Sequence, residues 1–528
     1  MTYLHRVVPL LIASSGPLFA QGPFLLADIQ PGSLESSPQE LTVFRDRVWF
    51  SANDGQNGRE LWVSDGTAAG TQMFVDLWPG SPGANPTGFC VLGDRMFFAA
   101  YGAGAGIELW VTDGTAVGTH QFADLRPGSA SSYPSHLARI GDEIYFSADT
   151  GGGQEPWVTD GTVTGTRSLG DLRPGANGST PMHFAGYPGN VVFQATDGVT
   201  GYELFHTDGT AAGTGLLLAI NPGSSSWPEE MFAFDGRVFF FATDALHGRE
   251  LWRTDFTAAG TVMVQDLAPG AYWSNPSNLV GGWRDQNFLF VAYQPGHGTD
   301  VFACDGTTLS YAWPPGINMP SAMTTTSPQD LRMIGSRKLY FDGSTPGHGH
   351  QLHVVDMTRP NPFGLYVYDL NPSGYSDPQE FVALRDLVLF TARDAAGREL
   401  WVMPNGATEE PADRGCSGSR LDVQDPVLGQ DIYYYITTDV PNAAPMTMIG
   451  WPAQTPFVLP WVSACPVHVD PGLTAFVQYP AGWNSGTQTV PNDIALQGLE
   501  LVMQCFVGST TTPSLFDFTN AVHLYLGL

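Results

Sequence analysis

Lysine is almost absent from this 528-residue chain: Lys338 is the only one, and 22 basic residues face 51 acidic ones, for a formal charge of -29. A surface of that sign repels polyphosphate, so nucleic acid and anionic membranes are poor partners. The acids are spread over the whole chain, a distribution that serves solubility more readily than it builds one site. Cysteine is sparse too, with five residues. Three of them, Cys416, Cys465 and Cys505, fall in the last quarter, where an oxidising compartment would allow one disulfide, with Cys416 and Cys465 the preferred pair. Cys90 and Cys304 sit on strand-like segments and read as buried thiols. Beyond residue 20 no stretch approaches the roughly 20 apolar residues that span a bilayer. No EF-hand loop, nucleophile elbow, phosphate loop or zincin helix occurs, and no cofactor is expected.

What the chain does contain is punctuation and repetition. Residues 1–20 carry Arg6, an apolar stretch from Val7 to Leu18 and the small Ala20 before Gln21, the pattern of a cleaved signal peptide. The mature protein is therefore expected outside the cytoplasm. From Glu60 to Trp401 one phrase then recurs about every 48 residues: ELWVSDGTAAGT at Glu60, with counterparts at Glu108, Glu155, Glu203 and Glu250, and worn copies at Asp300, Gln351 and Glu399. A period of this length marks an array whose units bury their apolar faces only against each other.

Each unit holds four strand signals. In the unit from Gln72 they are QMFVDL, GFCVL, DRMFFAAY and IELWVTD, the first followed by a Pro-Gly loop that has counterparts throughout the array. Runs such as VWFSA at Val48 and VFFFA at Val238 are apolar on both faces, as central strands of stacked blades are. Four strands per unit make one blade, and eight units make an all-β, eight-bladed β-propeller over residues 21–405. FLLADI, from Phe24, would complete the last blade and lock the ring. A polar linker, 406–415, leads to a second rhythm of strands over 416–528, expected to be a β-sandwich.

The repeated side chains have mechanical readings. Asp65, Asp113, Asp160 and Asp208 can accept hydrogen bonds within their own turns, followed by a glycine at positive φ and a threonine that closes the loop. Trp62, Trp110, Trp157, Trp252 and Trp401 form one column, with Phe205 and Phe302 substituting, suited to wedging neighbouring blades together. Paired acids such as Asp54 and Glu60 recur near the hairpins and are read as turn makers. An active site should break the repeat.

On these motifs, residues 24–405 resemble the ELWxxDGTxxGT repeat proteins of bacterial secretomes, predicted β-propellers. The tail, with ACPVHVDP and PNDIALQGLELVMQ, resembles a terminal β-domain appended to exported proteins of planctomycete-like bacteria. The resemblance implies a secreted protein and supplies no catalytic residues. The repeated Asp turn also resembles, in part, the Asp-box of sialidase-like propellers, a fold element. The best metal candidate is the trio His348, His350 and His353 in TPGHGHQLHVVD, although His348 aligns with His247 and His297 in a loop column, which favours solvent-facing loop residues. The function expected is a non-catalytic binding or scaffold protein that presents loops or channel to an extracellular glycan, a cell-wall component or a protein. The alternative is a propeller enzyme, glycan-cleaving or quinoprotein-like.

Overall fold

The computed structural model describes residues 23–404, apart from short loop stretches of which 312–328 and 357–363 are the longest, and strand segments of the tail beyond 405. It divides into two compact units, residues 23–403 and residues from 404 onward.

The first unit is a ring of eight four-stranded antiparallel sheets. Blade one consists of Gln39–Phe44, Arg47–Asn53, Arg59–Ser64 and Gln72–Val75, in that order from axis to rim. Blades two to seven repeat this meander. The eighth takes Gln379–Leu384, Leu387–Asp394 and Gly397–Pro404 from the C-terminal end of the array and borrows Phe24–Ala27 from the other end as its outer strand. Leu25 pairs with Trp401 and Ala27 with Leu400, so the two ends of the array are joined within one sheet and the ring is closed. The first strands of neighbouring blades approach one another, which places them around the axis.

The core lies between blades. Trp62 of blade one packs with Leu389 and Val402 of blade eight, and Trp401 of blade eight with Tyr340 and Val354 of blade seven. Trp110, Trp157 and Trp252 likewise reach the preceding blade, and Phe205 and Phe302 occupy the same place in blades four and six. The indole N–H groups of Trp62, Trp110, Trp252 and Trp401 are buried without a hydrogen-bond partner. These rings serve through apolar area, at the cost of an unsatisfied donor each.

A meander sends alternate connections to opposite faces. One face, here the turn face, collects the Asp-Gly-Thr loops. There Asp65 Oδ1 accepts the Thr67 amide at 2.9 Å and its hydroxyl at 2.7 Å, Gly66 adopts φ 90°, and the Ser64 and Thr71 hydroxyls meet at 2.8 Å. Asp113, Asp160, Asp208 and Asp255 repeat this arrangement. The other, the crossover face, collects the Pro-Gly loops that run from the rim of one blade to the axis of the next.

In six blades the crossover loop is fastened by the glutamate of the ELW phrase. Glu108 accepts the Leu125 and Ser132 amides at 2.9 and 2.8 Å and the Ser132 hydroxyl at 2.6 Å. Glu155, Glu203, Glu250 and Glu399 do the same with Ser179, Ser226, Ser274 and Ser36. Gln351 keeps the clasp in blade seven, taking the Ser376 hydroxyl at 2.8 Å. Glu60 lacks the hydroxyl because Ala84 stands in the serine's place. Asp54, by contrast, is a turn maker, accepting the Gln56 and Asn57 amides. The glycine before each glutamate lets the hairpin touch the loop: a Cβ on Gly58, at φ 76°, would meet Gly83 N at 2.6 Å.

In the tail, strands from Glu409–Pro411 to Val522–Tyr525 form sheets of six, three and two strands. Residues 1–20, Cys416 and Cys465 lie outside the described residues. Among the described residues no helix is long and apolar enough to cross a membrane.

Candidate functional site on the crossover face

Every axial strand begins with a β-bulge, and at each bulge one residue takes a left-handed φ between 49° and 70°. It stands two positions after the proline that ends the crossover loop. In blades one to four these residues are Glu40, Gly88, His136 and His183; in blades five to eight they are Glu230, Asn278, Asp330 and Glu380. The backbone repeats and the chemistry does not. Departure from the repeat is where a binding or reactive site should be sought.

The two halves of this axial ring are held differently. In blades five to eight each side chain accepts an amide from the next blade: Glu230 from Leu279 at 3.0 Å, Asn278 from Leu331 at 3.5 Å, Asp330 from Glu380 at 2.5 Å and Glu380 from Leu41 at 2.8 Å. Burial pushes the Glu230 and Glu380 carboxyls above their ordinary value, against the pull of those amides. In the other half His136 and His183 stand with ring centroids 5.9 Å apart. Crowding by the channel wall lowers both imidazoles, aided by His183 at the first and Arg249 at the second. Arg249 bridges to Glu229 at 2.5 Å. A cavity of roughly 760 Å³ opens along the axial strands of blades one, six, seven and eight, lined by Glu40, Asn278, Asp330, Arg332 and Glu380 among others.

The crossover face also carries aromatic rings. Among the described residues the exposed aromatic rings are Tyr133, Trp227, Trp273 and Tyr375, at 49%, 48%, 56% and 61% exposure, and all four sit on crossover loops. Each flanks or follows the clasp position: Tyr133 and Trp227 precede the loop proline, Trp273 and Tyr375 precede the clasp serine. Trp227 stacks on Tyr202 with centroids 4.4 Å apart and planes at 20°. Trp273 lies on Gly248 and Tyr375 on Gly349, where a Cβ would collide with the ring.

Within the sequence-derived histidine trio, His350 and His353 do not converge. His348 lies outside the described residues. His350 and His353 are on one strand three residues apart, an odd spacing that turns them to opposite faces. His353 occupies the tryptophan column, fully buried, stacked on Phe341 at 5.2 Å and held by the Gln351 carbonyl at 2.9 Å. His350 instead contacts Asp342 at 2.8 Å, with Asp377 beside them. Cys90 and Cys304 are buried free thiols, both pushed up to about 11 by burial. The axial ring was missed from sequence; the signal was the variable second residue after each loop proline.

Neither a known family model nor a curated protein matches the chain. Among solved structures, one from a study of two prolyl endopeptidases is similar at 12% identity with a TM-score of 0.42, over 75% of this chain and 56% of that one. Puromycin hydrolase is similar at 15% identity and 0.41, over 70% and 60%. A gluconolactonase from Xanthomonas campestris gives 14% and 0.28, over 57% and 91%. This chain thus spans between 56% and 60% of the length of the first two. At these values the likeness bears on neither activity nor site.

Proposed function

We propose that this is an exported, non-catalytic binding protein whose crossover face takes a neutral glycan across the mouth of the channel, with residues 416–528 as a β-sandwich attachment module. The observation that carries the reading is the placement of all four exposed aromatic rings of the described residues on one face, the face on which the polar axial ring also lies. Flat, pre-fixed rings stack on the apolar faces of sugars, while carboxylates and amides below them accept hydroxyl hydrogen bonds. Tyr133 and Trp227 also hold φ near 48°, a conformation costly for bulky side chains. Their presence where other copies use Ser37, Asn85 or Thr180 supports selection for the ring itself. The charge of -29 favours a neutral over an anionic glycan.

The test is titration of the mature protein with neutral polysaccharides. Trp227→Ala with Trp273→Ala should weaken binding at least about tenfold, about 1.4 kcal/mol, while Val117→Ala on the turn face leaves it unchanged. No binding to any neutral glycan, or no response to the double substitution, would refute the reading. Shortened glycan accumulating during incubation would move it to the alternative, a glycan-cleaving propeller.

A further inference from the structure

We propose that Asp342, His350 and Asp377 form a site for one divalent first-row transition ion at the seam of blades seven and eight on the crossover face. One ligand atom from each residue lies within 4.8 Å of the others. Three separate pieces of chain bring them together: the second strand Lys338–Thr345, the third strand Gly349–Asp356, and the crossover loop entering blade eight. His350 Nδ1 and Asp342 Oδ2 stand 2.8 Å apart. Two ligands that each sit about 2.0–2.2 Å from one ion are separated by about 3–3.5 Å, so a small opening of this pair lets an ion replace the proton the two atoms share.

A second observation is independent of that grouping. Asp342 is 4% exposed, and its other oxygen, Oδ1, is buried with no hydrogen-bond partner. A buried carboxylate oxygen left this way is costly unless a cation or donor meets it. The repeat supplies a third. Where Asp342 stands, other blades carry Ser51, Ser147 and Gln194, or the apolar Phe241 and Val291.

Arg398 lies beside the group, with Nη2 3.8 Å from Asp377 Oδ2 and Nη1 donating to the Asp377 carbonyl at 2.7 Å. Two carboxylates against one guanidinium leave a negative surplus for an ion. One imidazole with two carboxylates suits a zinc-like ion better than Ca²⁺, which takes six to eight oxygens. The His350 and Asp377 side chains are 40% and 35% exposed, so the remaining coordination positions face solvent.

The experiment is titration of the chelator-treated mature chain with Zn²⁺, followed by calorimetry and by thermal melting. One equivalent should bind, and His350→Ala and Asp377→Asn should each weaken it about tenfold or more. Both side chains are partly exposed, so the test does not depend on a buried substitution. His247→Ala should leave binding unchanged, because among the described residues the His247–Asp244 pair, also at 2.8 Å, has no third ligand. Absence of saturable one-equivalent binding, indifference to both site variants, or tighter binding of Ca²⁺ than of Zn²⁺ would overturn the proposal.

Discussion

The two faces of the propeller use acids in opposite ways. On the turn face Asp160 and Asp255 are solvent-exposed and Asp65 is partly so, all three accept hydrogen bonds from their own loops, and the threonine hydroxyl and amide hold each carboxyl below its ordinary value. On the crossover face Glu60, Glu108, Glu155, Glu203, Glu250 and Glu399 are buried, and burial raises every one of them despite the amides they accept. Both sets recur from blade to blade, so recurrence alone does not tell a turn maker from a clasp; burial does. Their linkage to folding also has opposite signs. The aspartates stabilise above their unfolded value of 3.8, and that contribution is lost as pH falls through the lower folded values. The glutamates bind protons more tightly when folded, so stability is highest at low pH and declines as pH rises from 4.5 toward the folded value. For Glu60 that window ends at about 7.

The sharpest way to break this comparison is to remove one clasp. Glu203 is fully buried and receives the Ile220 amide at 2.8 Å, the Asn221 amide at 3.3 Å and the Ser226 hydroxyl at 2.5 Å. Glu203→Ala leaves the Ile220 and Asn221 amides buried without that acceptor and the Ser226 hydroxyl with only the Tyr202 carbonyl at 3.3 Å, and a loss of about 3 kcal/mol in urea unfolding is expected. Glu203→Gln should cost less, because Gln351 already performs the clasp in blade seven. An alanine variant as stable as the parent would mean that the crossover loops hold themselves.

The propeller was legible in the sequence because its signals are local and repeated: four strand patterns, a glycine turn and a bulky apolar column in each unit. Even the borrowed strand at Phe24 followed from counting. What stayed hidden depends on direction in space. Glu60 and Asp54 look alike as recurrent acids near a hairpin, yet only the fold shows that Glu60 reaches Leu77 and Ala84 across the loop. His353 seemed a partner for His350 by spacing, while strand alternation sends it into the tryptophan wedge. Glu40 and Glu380 are far apart in sequence and meet only because the ring closes.

A smaller effect sharpens the electrostatic half of the comparison. Glu60 is the clasp whose serine is replaced, by Ala84, and burial pushes its carboxyl up to about 7. Ala84→Ser should restore the hydroxyl donor seen at Ser132 and Ser179 and stabilise the ionised carboxylate. The expected gain is about 1 kcal/mol at pH 8 and less at pH 5, where Glu60 is protonated. Unfolding midpoints at the two pH values check it. An equal gain at both would attribute the effect to packing instead of charge.

The smallest effect belongs to the turn face. Asp160 accepts the Thr162 amide at 2.8 Å and hydroxyl at 2.7 Å, but water competes for every partner because the carboxyl is exposed. Asp160→Ala should therefore cost less than about 1 kcal/mol at pH 7. The same loop exists in blades one, two, four and five, so one loosened copy leaves the others intact. The cost should shrink as pH drops below 3.8, when the parent's own carboxyl begins to protonate. A penalty for Asp160→Ala that grew toward low pH would reverse the sign assigned to this face, and one as large as that of Glu203→Ala would remove the distinction between the two.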